Sequence, residues 1–406
     1  MFTILKLPSI RKIIVLAILI RLLITPFYFH PDIKTYNFQA SFLKKGVWNI
    51  YDYLSDHKSN LPLKDEFVYF PLTYFLLGGY QVVAAPFLGP GFETWLSNAN
   101  SNSSNNGIFR YLFILKLPYL LLDVLIGLLL VSFFSEVETK KKILIAWLFN
   151  PFSIALIYIY SNVDIFPVFL VVLSLYYARK NNFLFSSLAL GLGAGFKAFP
   201  LLLVPFLFLK AQTFKDKIII VIFSFGTFIL TILPFGKSMA FRESTLVSGL
   251  TTRIVSNGLN IGFNEILMPA IVLLSILIFW GISKAKIELW RYYLVAFLLT
   301  LISIHFHIQW LLWIIPFLVI AYVLDSGKEK KLIVMFLAIS FIIPLLYTDK
   351  FMTVGLLRAI SPLYELLPTP QTLLSKIYDP LVIQGVLHSI LFGLGLLLSQ
   401  KIISKE

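Results

Sequence analysis

Twelve apolar runs follow one another along this chain, near residues 12–29, 109–135, 143–160, 164–179, 183–196, 198–210, 218–235, 266–283, 290–304, 309–324, 332–347 and 381–400. Many reach or approach the roughly 20 residues that carry a helix across a bilayer. Charged residues make up 13% of the 406-residue chain and hydrophobic ones 58%, with a mean hydropathy of +0.86. Soluble domains carry about 25% charge, so a water-soluble protein of this size is excluded. The expected fold class is an all-α polytopic membrane protein, one integral membrane domain over 1–406 with about a dozen spans.

The connectors sort by charge. Short basic ones hold Lys140 to Lys142, Arg179-Lys180, Lys210 to Lys217, Lys284 to Lys286, Lys328 to Lys331 and the tail with Lys401 and Lys405. The positive-inside rule turns these to the cytoplasm together with Lys6, Arg11 and Lys12, and both termini with them. The same bias accounts for much of the net charge of +14, so nucleic acid is not implied as a partner. Outer connectors are then 30–108, 161–163, 236–265, 305–308 and 348–380. The first apolar run contains Arg21 and lacks a small-residue cleavage site, so it reads as a retained span.

One segment strains this count. Residues 68–88 are apolar enough to span, yet counting them would move every later basic connector outside. They are therefore expected to be re-entrant or to lie along the membrane within the first outer loop, with Pro71 and Gly78-Gly79 breaking the helix. The tract 98–107 reads as a disordered polar tip containing an Asn102-Ser103-Ser104 sequon. Residues 183–196 and 198–210 read as a helical hairpin whose tip carries Lys197. The chain has no cysteine, which rules out disulfides and thiolate metal sites.

Chemistry-bearing residues collect at the outer boundary. Asp32 follows the first span at once and opens a loop rich in Tyr36, Phe38, Trp48, Tyr51 and Tyr53. A partly desolvated carboxylate there can accept a hydroxyl proton; an ordinary turn aspartate is the bland alternative. Asp164 returns to the same boundary after Asn150-Pro151, with a helix N-cap as its ordinary role. Asp123 lies inside a span, with Lys116 seven residues earlier on the same helical face, and can be functional or structural. His305 and His307 are spaced wrongly for helical metal ligation and suit hydrogen bonding or phosphate contact. Arg242, Arg253 and Lys237 share one outer loop, where they can meet an anionic phosphate or merely lipid headgroups. No phosphate-binding glycine loop, zinc-binding HExxH motif or soluble nucleotide-sugar domain occurs. Any activated substrate must come from the lipid.

Four stretches, in order, resemble membrane glycosyltransferases of the GT-C superfamily. They are HPDIKTYNFQASFLKKGVWNIYD with FVYFPLTYFLL, KLPYLLLDVLIGLLL, the region from WLFNPF through SNVD to FKAFPLLL, and HFHIQWLLWIIPFL. The resemblance extends to catalytic subunits of the first GPI mannosyltransferase and to prokaryotic polyprenyl-phosphate-mannose-dependent mannosyltransferases. It covers about half of the chain. It implies a GT-C-like bundle with interfacial helices in its first outer loop. The implied reaction is inverting transfer of a sugar, mannose first, from a polyprenyl or dolichyl phosphate to a glycan, lipid or protein acceptor on the outer face. Asp32 would be the base. His30, Asp164, Lys197, Arg242, Arg253, His307 and Gln309 would bind substrate. The family often has a second acidic residue two positions after the first, where this chain has Lys34, so neither metal nor other cofactor is expected. The compact chain suits a prokaryotic plasma membrane. The rival readings are a transporter or lipid flippase using Asp123 and the Gly/Pro-broken hairpin, and a noncatalytic scaffold subunit.

Overall fold

The computed structural model describes residues 8–98, 107–252, 258–262, 265–283, 288–325 and 327–404; the sequon and most of the 98–107 tract lie outside these. Helices α1 (Pro8–Ile24), α2 (Pro31–Ser41), α3 (Ile50–Asp56), α4 (Pro71–Leu88) and α5 (Gly91–Ser97) form the N-terminal part. The central part holds α6 (Ile108–Ser132), α7 (Val137–Leu148), α8 (Pro151–Ile154), α9 (Ile165–Arg179), α10 (Phe183–Ala194), α11 (Val204–Lys210) and α12 (Phe214–Ile232). The later helices are α13 (Pro269–Ser283), α14 (Leu289–Ser303), α15 (Ile315–Leu324), α16 (Lys328–Ile342) and α17 (Pro380–Ile403). Among the described residues the strands amount to one exposed antiparallel hairpin, Leu259–Gly262 with Glu265–Leu267.

Among the described residues four helices are long and apolar enough to cross a membrane: α4, α6, α12 with its extension to Phe235, and α17. A fifth is obtained if the bent pair Val137–Leu148 and Pro151–Ile159 counts as one. Six more apolar helices among the described residues are shorter, 10–17 residues each. The most apolar stretch of α6 is 56% buried, and this helix packs against α1, α4, α7 and α9. In α12 and α17 that share is 17%, and side chains such as Phe214, Leu230, Leu381 and Val386 stand exposed. Exposed apolar faces of that extent suit hydrocarbon contact.

Local sequence explains the bends. Pro151 removes an amide donor, and Asn150 Oδ1 caps the new helix by accepting Phe152 N–H at 3.0 Å. The chain turns by 41° there and runs into a π-helical turn, Ala155–Ile159. Pro118 lies inside α6 and cannot donate back to the Ile114 carbonyl, which accepts from Tyr80 hydroxyl instead (2.6 Å).

The expected break in 68–88 is not there. Pro71 stands at the first helical position, where it suits a helix start, and α4 is one continuous helix of 18 residues. Gly78 serves packing instead: a Cβ there would meet Leu43 Cβ at 2.7 Å and the Ala40 carbonyl oxygen at 2.8 Å. The expected turn at Lys197 is present, α10 passing at Gly195–Ala198 into a 3-10 turn (Phe199–Leu203) and α11, but α10 packs chiefly on α9 and α12 and not on α11 as a hairpin would.

Candidate functional site

Helix α2 starts because Pro31 presets its first turn and His30 caps it, the Asp32 N–H donating to His30 Nδ1 at 3.3 Å. Asp32 therefore sits in the first turn, where the helix dipole favours a carboxylate. One helical turn on, Tyr36 shares its face. Both line a cavity of about 250 Å³ together with Tyr69, Lys197, Phe199, Thr245 and Thr300, and with His307, Gln309, Trp310 and Trp313. Asp32 is partly exposed there, at 28% of its side chain.

Two carboxylates belong to this site and their surroundings differ. Gln309 Nε2 donates to Asp32 Oδ2 at 2.9 Å, a neutral contact. Asp164 is 1% exposed and receives Lys197 Nζ on both oxygens, at 2.9 and 2.8 Å, plus Trp313 Nε1 at 2.8 Å. Although Asp164 occupies an N-cap position, its side chain makes no cap bond; the ordinary role is not the one it has. The Lys197 ammonium also lies 5.2–5.6 Å from the ring centres of Tyr69, Trp310 and Trp313, within cation–π range. One carboxylate is thus paired with a cation ringed by aromatic side chains, and the other meets a neutral amide at the cavity wall.

Backbone contacts bring the segments together. Asn162 Nδ2 donates to the Gln309 carbonyl (2.6 Å), and its Oδ1 accepts the Asp164 N–H (2.9 Å). The Phe70 and Leu72 amides donate to the carbonyls of Phe196 and Gly195, seating the start of α4 on the hairpin tip that carries Lys197. Tyr36 and Tyr69 meet edge to face at 4.9 Å. Burial, then the nearby carboxylates, Asp32 foremost at Tyr36 and Asp164 at Tyr69, holds both phenols well above their ordinary range, so both remain neutral donors.

The other expected residues are placed less centrally. His30 is buried, lies 3.5 Å from Asp32 Oδ2 through Nδ1, and serves as the helix cap rather than lining the cavity. His307 lines the cavity, whereas His305 lines a separate groove with His388; neither stands in a helix, so the helical spacing argument does not apply. Arg242 and Lys237 are exposed, and neither lines the cavity. Arg253 lies outside the described residues. Lys34, where the resembled family has an acid, points away: its Nζ donates to the Asn98 carbonyl and stands over Trp95. Burial and then the Arg358 charge lower its pKa to about 8. No group of three or more potential metal ligands occurs among the described residues.

Asp123 is the clearest structural case. Its partner is Arg21 of α1, not Lys116; both charges are fully buried, and Tyr158 hydroxyl adds a hydrogen bond at 2.8 Å. Trp310, Trp313, Tyr69 and Asn162 complete the site; in sequence they stand only inside the quoted stretches, and Tyr36 only among the aromatic residues of the first outer loop. The Gln-Trp-x-x-Trp spacing of Gln309, Trp310 and Trp313 was the available signal for two of them.

Comparison with known proteins adds one partial match. Over 96 residues the chain is 33% identical to GPI mannosyltransferase 1 of Candida albicans (strain SC5314 / ATCC MYA-2876). The match takes in 22% of this chain and 24% of that protein's length. No family model matches.

Proposed function

We propose that this chain is a membrane glycosyltransferase, a mannosyltransferase of GT-C type. It would move a sugar from a polyprenyl phosphate to an acceptor hydroxyl on the outer face of the membrane. The observation that carries this reading is Asp32 in an aromatic-walled cavity at the start of the first loop, with Lys197, held by the buried Asp164, on the same cavity wall. The partial similarity to a GPI mannosyltransferase supports the same class. In this reaction Asp32 takes the acceptor hydroxyl proton as the oxygen attacks the anomeric carbon. The C1–O bond to phosphate breaks, its electron pair leaves on the lipid phosphate, and the configuration at C1 inverts. Lys197 and His307, which both line the cavity, stabilise the charge building on that phosphate. Gln309 orients Asp32.

The transporter alternative uses the intramembrane Asp123 and the Gly/Pro-broken hairpin as a gated path; the pairing of Asp123 with Arg21 gives that carboxylate a structural role. The test is transfer from radiolabelled polyprenyl-phosphate mannose by the purified protein in lipid, with membrane extract as acceptor source, beside Asp32→Asn. A proton-accepting role calls for a loss of about 10²-fold or more. Transfer surviving the substitution removes Asp32 from that role. No transfer from any lipid-linked sugar by folded protein refutes the enzyme.

A further inference from the structure

One face of α6 holds two buried charges seven residues apart that do not pair with each other. The deeper, Asp123, takes Arg21 of α1 and the hydroxyl of Tyr158. Lys116, which is fully buried, donates to three backbone carbonyls: Thr25 (3.1 Å), Tyr28 (2.7 Å) and Tyr158 (2.7 Å). An ammonium has three donors and no acceptor, so this set is saturated.

The acceptors lie at informative points. The Thr25 and Tyr28 carbonyls end the first span, four residues before Asp32 in the case of Tyr28. Tyr158 belongs to the π-helical turn, six residues before Asp164. Beyond that turn Ser161 adopts a φ of +54°, a region a serine adopts only when its surroundings hold it there. Tyr158 is therefore gripped twice by α6, through its hydroxyl at Asp123 and through its carbonyl at Lys116. The first span is gripped twice as well, at Arg21 and at its last carbonyls. The lower grip, an ion pair, fastens the helices. The upper grip touches only backbone, at the roots of the two segments that end in the site's carboxylates.

We infer that Lys116 is a positioning residue: one ammonium sets the relation between the segment bearing Asp32 and the segment bearing Asp164. The inference rests on the transferase reading for its consequence but not for its geometry. Its test has two arms. The first measures transfer by Lys116→Met, with Lys116→Gln in its place if that variant is not recovered folded. The control is Ile220→Ala, a buried cavity-forming change in α12 outside the cavity lining. Misplacing a reacting group by about 1 Å costs about 10²-fold. The Lys116 variant should therefore lose about 30-fold or more in kcat, with KM for the lipid donor within about threefold. The control should keep its kcat at a similar loss of thermal stability. A kcat within about threefold of wild type overturns the inference.

The second arm does not depend on activity. The chain has no cysteine, so spin labels at Phe27→Cys and Ile159→Cys report the distance between the two roots without background. The distance distribution should be narrow in the otherwise unchanged chain and in the Ile220→Ala background, and broadened or displaced in the Lys116 variant. An unchanged distribution overturns the inference even where the transferase reading stands. A changed distribution in a chain with no transfer activity refutes the transferase reading and retains the inference.

Discussion

Replacing Lys197 by methionine keeps the length of the side chain and removes its charge from a carboxylate that is 1% exposed. Asp164 would retain Trp313 Nε1 as its described side-chain donor, against the three donor contacts it has with Lys197 in place. Breaking a buried ion pair from one side costs about 3–5 kcal/mol. Lys197 keeps 21% of its side chain in contact with solvent, which places the loss near the lower end, about 3 kcal/mol. Asp164→Asn should cost less, about 1–2 kcal/mol, because the freed ammonium can reach water and keeps three aromatic faces. With both changes the carboxamide oxygen still accepts from Trp313 and no buried charge is left unpaired. The double variant should be more stable than Lys197→Met alone, with a coupling of about 2 kcal/mol. Denaturant unfolding in bicelles, followed by tryptophan fluorescence and run as a double-mutant cycle, measures these values. Additive losses, or a Lys197→Met cost below about 1 kcal/mol, would refute the view that Asp164 and Lys197 act as one coupled buried pair.

Gly78→Leu should cost at least about 1–3 kcal/mol by overpacking where α4 meets Leu43 and the Ala40 carbonyl, measured by the same unfolding. A helix broken at Gly78 would instead tolerate it. Lys34, lowered to about 8 by burial and the Arg358 charge, carries its penalty in full below pH 8. Between about 8 and its unfolded value the unfolded chain binds the extra proton, so stability should rise with pH across that window. Lys34→Met should abolish the rise, read by unfolding at a series of pH values. For topology, Trp48→Cys, at a site 72% exposed, should react with an impermeant maleimide added outside intact cells, while Lys141→Cys should react only after permeabilisation. The reverse pattern would invert the proposed orientation.

Hydropathy and charge made the helical architecture legible, because apolar runs and basic connectors are local properties of the chain. Proline and asparagine likewise announced the bend at Asn150-Pro151, and the glycines before Lys197 announced its turn. The same local reasoning failed at Gly78, whose small size serves a neighbour 35 residues away rather than a break in its own helix. At Asp32 and Asp164 the sequence alone offered two carboxylates near one boundary with ordinary roles available to each. Tertiary structure gave each its partners, since Gln309 reaches Asp32 across 277 residues and Trp313 reaches Asp164 across 149. It also took Lys116 from Asp123 and assigned Arg21 instead, because a buried charge pairs with whatever packing brings within reach. Periodicity along one helix can name the face a charge occupies but not the partner on the next. Composition determined where this chain can reside; the closure of distant segments on one another determined which of its polar groups share a site.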